Sequence, residues 1–471
     1  MAVGGARRPI LTTRTATEHK RTSDRKLTVG LFCIVTIAAF EAMALITALP
    51  TITDEFHGDS LYGLTVAVNL LANVIVIVAA ASAADRIGPG RPFIVCAAVF
   101  TVGLVVAGAA PNMGCVVLGR ILQGAGVGGF TTLAYVSVSR GIHPDRQPAA
   151  FTAMSAGWVV PSLIAPAAAG WITDTFGWRW VFFGIIPMVA LLAAFVGPML
   201  AGLPASSAPT DSTATRQRLR QSITVSIGLG ALLWGLTLDR WLLVAPLAIG
   251  GSALALPGLR RLFPPGTGHA APGLPAVIAV RLTATMAFIG VESFLPLAAD
   301  RVHHVGPIAQ GMVIIGAAVT WTIGQWFAAK RHGKTSDRTL ITIGFAALAV
   351  GIASSMVVIR PHVHLAVTFA TWCVSGLGMG MLMGPTTVRA MSLAPSGEDG
   401  LVSSQIGLSD SVGFATMTGI GGATVALADR GVFGLSTAIV INAVGASTLA
   451  ILGAVLLSRR VVGPRRDFDQ P

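Results

Sequence analysis

Charge is scarce in this chain. Only 11% of its 471 residues are Asp, Glu, Lys or Arg, against about 25% in soluble domains. Hydrophobic residues make up 53% and the mean hydropathy is +0.75. A soluble globular protein is excluded, and an integral membrane protein with many helical spans is expected. Tyrosine is almost missing, with two residues. The net charge of +12 therefore lacks the aromatic neighbours of a base-stacking surface, and no nucleic acid is expected as a partner. Cysteine is rare too. Cys33, Cys96, Cys115 and Cys373 show no C-x-x-C spacing, so we read them as buried thiols, with no disulfide and no metal. Also missing are H-E-x-x-H, G-x-S-x-G, a Walker loop and any large soluble domain. This argues against a membrane enzyme or receptor, removes intrinsic ATP dependence and implies no cofactor.

What is present is a succession of apolar runs, each long enough to approach the ~20 residues a bilayer span needs. They cover 27–50, 62–84, 93–110, 113–139, 149–172 and 179–202, then 222–238 and 241–259 between two polar connectors, then 276–298, 306–328, 339–359, 364–388, 401–428 and 433–457. The expected organisation is an N-tail (1–26), a six-helix bundle (27–202), a linker with two helices (203–275), a second six-helix bundle (276–457) and a C-tail (458–471). The middle pair can be a tight transmembrane hairpin or a partly interfacial one, which makes 14 spans or 12. With the N-terminus inside, the inner segments hold 25 of the 32 Lys and Arg and the outer segments hold 5. That bias places both termini in the cytoplasm. The abundance of Ala, Gly and Arg suggests a bacterial inner membrane. A repeat supports the two halves: Gly124, Gly126, Gly128 and Gly170 recur as Gly376, Gly378, Gly380 and Gly422, all at an offset of 252. Parallel six-helix repeats are a transporter signature. Glu41 and Glu292 lie 251 apart, but the Leu-Pro pairs that follow them (Leu49–Pro50, Leu295–Pro296) disagree by five residues.

Glu41 is the acid of the first run. It lies roughly 22 Å from Lys26 and roughly 13 Å from Pro50, at ~1.5 Å per residue. A carboxylate at that depth marks a functional site or a protonated acid hydrogen-bonded to a neighbouring helix. Arg120 lies in the fourth run and needs a partner, because it cannot shed its charge; Glu41 and Asp410 are the candidates. A neighbouring cation favours the ionised acid and burial the neutral one. An acid held between the two can take up and release protons. Glu292 and Asp410 are further intramembrane acids, able to carry protons or to bind cationic substrates. Asn69 and Asn73, and Trp321 and Gln325, are i,i+4 pairs suited to a cavity wall or to interhelical bonds; Gln123 belongs with them. Met379, Met381 and Met383 can form an adaptable surface or ordinary packing. Arg281, near the inner end of its run, is expected to snorkel.

Three stretches carry a family resemblance. The loop 80–92, AASAADRIGPGRP, resembles the Gly-x-x-x-Asp-Arg-x-Gly-Arg-Arg motif of the major facilitator superfamily through Asp85, Arg86, Gly88 and Arg91. Ala81 replaces the leading Gly, and Pro89–Gly90 intervene before the Arg. LGRILQGAGVGG in 118–129 is similar to its fourth-helix motif at Gly119, Arg120, Gln123, Gly124, Gly126 and Gly128. GWVVPSLIAPAAAGWI (157–172) resembles the antiporter motif Gly-x-x-x-Gly-Pro-x-x-Gly-Gly at Pro166 and Gly170, with Pro161, Ala165 and Ala169 where glycines are expected. Trp178–Arg179–Trp180 and Phe182, with Phe40–Glu41 and Ala48–Leu49–Pro50, resemble motifs of the drug:proton antiporters; the two extra helices point to their 14-helix branch. The resemblance implies the major facilitator fold, alternating access with a cytoplasmic gate at Asp85–Arg91, and proton coupling through Arg120. It implies a monomer exporting hydrophobic or cationic small molecules against protons. The departures at Pro161, Ala165 and Ala169 leave open a proton-linked importer of a small metabolite.

Overall fold

The computed structural model describes residues 11–56, 59–206, 212–237, 241–305, 307–331, 334–395, 398–429 and 431–461. Residues 1–10 of the expected N-tail and 462–471 of the expected C-tail lie outside them. Helices account for all the regular structure among the described residues. In chain order these are α1 (Leu11–Phe56), α2 (Asp59–Ile87), α3 (Gly90–Gly108), α4 (Met113–Gly141), α5 (Gln147–Ala156), α6 (Val159–Phe176), α7 (Arg179–Phe183), α8 (Ile185–Ala201), α9 (Ser212–Thr237), α10 (Trp241–Leu262), α11 (Leu274–Glu292), α12 (Leu295–His303), α13 (Pro307–Arg331), α14 (Asp337–Ser355), α15 (Leu365–Ser392), α16 (Asp399–Asp429) and α17 (Leu435–Leu452). Ten stretches are long and apolar enough to cross a membrane among the described residues.

Three expected spans are broken, and the breaks share a cause. The fifth run divides into α5 and α6 around Gly157–Trp158, the sixth into α7 and α8 at Gly184, and the ninth into α11 and α12 at Ser293–Phe294. Each break falls at or just past the residue four before a proline: Pro161, Pro187 and Pro296. Proline has no N–H for the carbonyl four residues back and crowds it, yet is tolerated in a first helical turn. The chain restarts so that each proline occupies one. Pro50 does not end α1, which continues to Phe56.

Helices α1 to α8 pack mainly among themselves, as do α11 to α17. The halves meet where α2 and α4 touch α16 and where α5 touches α13 and α15. The glycine repeat is a repeat of contacts. A Cβ on Gly124 or Gly128 would strike the backbone of Asn69 or Asn73 on α2, and one on Gly126 would strike Phe100 on α3. In the second half Gly376 and Gly380 abut Ala317 and Trp321 on α13, and Gly378 abuts Leu348 on α14. The partners are all offset by 248. So α4 and α15 are equivalent central helices, each pressed backbone to backbone against two neighbours. The middle helices form a hairpin, with α9 seated against both α2 and α16 and α10 packed on α9. Ser226 Oγ of α9 donates to Leu71 O of α2 at 2.9 Å.

Candidate functional site

In the first half, Arg120 Nη1 donates to Glu41 Oε1 and to Gln123 Oε1 at 2.5 Å. Gln123 Nε2 reaches Gly103 O at 3.3 Å. Asn69 Nδ2 donates to Arg120 O at 3.5 Å. The one-turn spacing of Arg120 and Gln123 on α4 aims both at α1 and α3. Both charges are buried, with Glu41 only 3% exposed. Of the two candidate partners, Glu41 is the one Arg120 meets. Taking two ions out of water is costly, and removing one partner strands the other. Any protonation of Glu41 must therefore be felt by α4.

The second half has its own pair at a different place. Arg281 grips Asp410 with two parallel bonds, Nε–Oδ1 and Nη2–Oδ2, each 2.8 Å. Its Nη1 donates to Thr387 Oγ1 at 2.5 Å, and Thr285 Oγ1 lies 3.4 Å from Asp410 Oδ1. Arg281 Nη2 also reaches Tyr135 Oη of the first half at 3.5 Å. Arg281 does not snorkel. It is buried while Asp410 keeps 34% of its side chain exposed. The residue 252 after Arg120 is Trp372, which stacks on Phe288 with centroids 4.9 Å apart. An aromatic stack in one half thus stands where an ion pair stands in the other.

The loop motif is tied differently from its sequence neighbours. Asp85 pairs with Arg140 Nη2 of α4 at 2.6 Å, not with Arg86 or Arg91, which are exposed. Asp85 Oδ1 also accepts from Gly400 N at the start of α16, at 3.2 Å. Helix N-termini favour such an anion. A Cβ on Gly400 would collide with the Asp85 carboxylate. Arg140 Nε lies 3.5 Å from Asp399 Oδ2, and Ser139 Oγ donates to Asp399 Oδ1 at 3.0 Å. Gly88 has φ +79°, and a Cβ there would meet Leu203 O at 3.0 Å; the turn needs glycine on both counts. Arg140, Asp399 and Gly400 complete a lock between the halves. Their sequence signal was slight, because Arg140 counts as one more basic residue at a span end.

The remaining candidates are dispersed. Glu292 ends α11 at the break, half-buried, and forms no ion pair among the described residues. Asn69, Asn73 and Trp321 are half-buried, while Gln123 and Gln325 are buried. Trp321 meets Phe288 edge-on at 5.4 Å. Met379, Met381 and Met383 are buried, which decides for packing. Pro161, Pro166 and Gly170 all lie on α6, and nothing stands within 4 Å of a Cβ built on Gly170. At the far end of α1, Glu55 accepts from Trp178 Nε1 at 2.6 Å and pairs with Arg179 at 3.0 Å. The indole N–H and then the guanidinium hold its carboxyl below the usual carboxylate range. Arg179 in turn lies over the Trp178 ring at 4.3 Å, a cation–π contact.

Comparison with known proteins agrees with this architecture. The sequence profile of the Major Facilitator Superfamily matches residues 31–418. A probable multidrug-efflux transporter of Mycobacterium tuberculosis is 25% identical over 418 residues, covering 84% of this chain and 87% of the relative. A multidrug resistance protein B homolog of the same organism is 26% identical over 425 residues, covering 84% and 76%. Among solved structures, the human organic anion transporter MFSD10 superimposes with a TM-score of 0.69 at 12% identity, over 92% of this chain and 99% of that one. The proton:xylose symporter XylE does so with a TM-score of 0.63 at 15% identity, over 92% and 95%. At such identities the two structures speak to the fold alone.

Proposed function

The chain belongs to the major facilitator superfamily, and from that premise we propose that this multi-pass membrane transporter exports hydrophobic or cationic small molecules in exchange for protons. The observation that carries the reading is the buried Glu41–Arg120 pair inside the fourth-helix motif. Arg120 stays charged throughout, so a proton on Glu41 removes half of an ion pair and leaves the guanidinium to Gln123. That alters the contact of α1 with α4 at each cycle. Asp410, exposed on one side and gripped by Arg281, offers a second carrier, and Glu292 a third. Asn69, Asn73 and Trp321 fit a substrate wall. The Asp85–Arg140–Gly400 lock is the gate. It holds the halves together at the cytoplasmic face of a bacterial inner membrane, with both termini on that side, and it releases when access alternates. The relatives named for multidrug efflux support export. One observation favours the second reading, a proton-linked importer of a small metabolite. The antiporter-like stretch of α6 lacks three of its glycines, and Gly170 presses on no neighbour.

Everted membrane vesicles, acid-loaded, separate the two readings. Lipophilic dyes and drugs should draw protons out of the wild-type lumen, and Glu41→Gln, shown to be inserted, should abolish the response. Full coupled transport by Glu41→Gln would remove Glu41 from the mechanism. No response to any compound in wild type would favour import, tested next with radiolabelled nutrients.

A further inference from the structure

The last turns of α13 carry an arrangement that has no part in the transport cycle proposed above. Lys330 Nζ lies 3.8 Å from the centroid of the Trp326 ring, and Arg331 Cζ lies 4.9 Å from that of Phe327. Both are i,i+4 pairs, so two cations stand side by side over two rings. The rings are not core: Trp326 is 51% exposed and Phe327 is exposed too. Lys334 follows in the connection to α14 and Arg338 in the first turn of α14, both exposed. Asp337 is the one carboxylate in 326–338. Among the described residues none of these four cations forms an ion pair.

The face beneath the cations is apolar. Val319, Ile323, Trp326 and Lys330 are spaced by four, three and four residues and share one side of α13. Ile323 is 48% exposed, and Val319 is exposed as well. From Val319 to Lys330 this lane runs about 16 Å at 1.5 Å per residue. A ligand matching it has an anionic head and a long apolar tail. Exposed Trp at the end of a spanning helix marks the headgroup level, and clustered cations there attract anionic lipid. The patch lies at the same end of the molecule as the Asp85–Gly400 contact, because α14 and α15 carry the chain away and back before α16 begins.

We propose that the end of α13 is a seat for an anionic phospholipid, its phosphate held by Lys330 and Arg331 and an acyl chain lying along Ile323 and Val319. The ring contacts hold both cations in place before the lipid arrives, which lowers the ordering cost of binding.

The test is native mass spectrometry of the full chain in detergent with equal phosphatidylglycerol and phosphatidylcholine. Wild type should retain phosphatidylglycerol preferentially. Lys330→Gln/Arg331→Gln should weaken that retention roughly 25-fold, at about one factor of five per cation. Trp326→Leu/Phe327→Leu, which keeps every charge, should weaken it several-fold. Arg216→Gln/Arg220→Gln, which removes two exposed cations elsewhere, should leave it unchanged. A second readout is the rise in melting temperature on adding phosphatidylglycerol, expected in wild type and lost in Lys330→Gln/Arg331→Gln. Undiminished retention by either α13 variant, or an equal loss in the Arg216/Arg220 variant, overturns the proposal. So does displacement of the lipid by millimolar inorganic phosphate, which would make the seat one for a free anion.

Discussion

Glu41 and Arg120 stand 79 residues apart in the chain and meet within the first half. Their coupling can be measured without any transport assay. Glu41→Gln and Arg120→Gln should each destabilise the purified protein by roughly 3–5 kcal/mol, the usual result of stranding one member of a buried pair. The double variant should lose less than the two combined by about 1–3 kcal/mol. Additive losses in thermal or denaturant melts would mean that the two side chains do not sense each other. The sequence narrowed the partner of Arg120 to Glu41 or Asp410, because an arginine inside a span must have an acid within reach. The Arg281–Asp410 pair was not legible in it. Arg281 sits near the end of its run, where a long side chain normally reaches water. A stronger signal lay elsewhere: Asp410 had no partner left once Arg120 was assigned to Glu41, and Arg281 was the one other cation within a span. The partner of Asp85 was not legible either. Its sequence neighbours Arg86 and Arg91 point outward, and its partner Arg140 stands 55 residues away.

At the scale of helices, the apolar runs foretold where elements lie but not where they break. Hydropathy is blind to a missing N–H, so 149–172 and 276–298 read as single spans. The prolines at 161, 187 and 296 were visible, but Pro198, Pro246 and Pro385 sit inside unbroken helices, so proline alone does not decide. The glycines were more informative than composition suggests, since their spacing carried the internal repeat. They are not alike, however. Gly124→Ala places a methyl group on the backbone carbonyl of Asn69. It should force α2 from α4 at a cost of about 1–3 kcal/mol. Gly170→Ala meets nothing within 4 Å and should stabilise α6 by up to about 1 kcal/mol through helix propensity. Melting curves of the two variants side by side check both signs. A loss at Gly170 equal to that at Gly124 would mean that α6 packs against a neighbour there.

At the scale of the whole molecule, the halves are joined at one end by the Asp85–Arg140–Asp399 cluster and, deeper, by α2 lying along α16. Gly407 of α16 faces Ile77 of α2, with a Cβ built there 3.2 Å from the isoleucine side chain. A cysteine pair, Ile77→Cys with Gly407→Cys in a background lacking the four native cysteines, should cross-link readily under oxidation. The cross-link should stop transport, and reductant should restore it. Cross-linking that leaves transport intact would show that α2 and α16 never separate in the cycle. The position of α9 bears on the same seam. It rests on α2 and α16 together, with α10 behind it. For a solute that travels within the lipid, the molecule therefore has a shuttered flank, because anything approaching the α2–α16 seam from that side finds two further helices in its path.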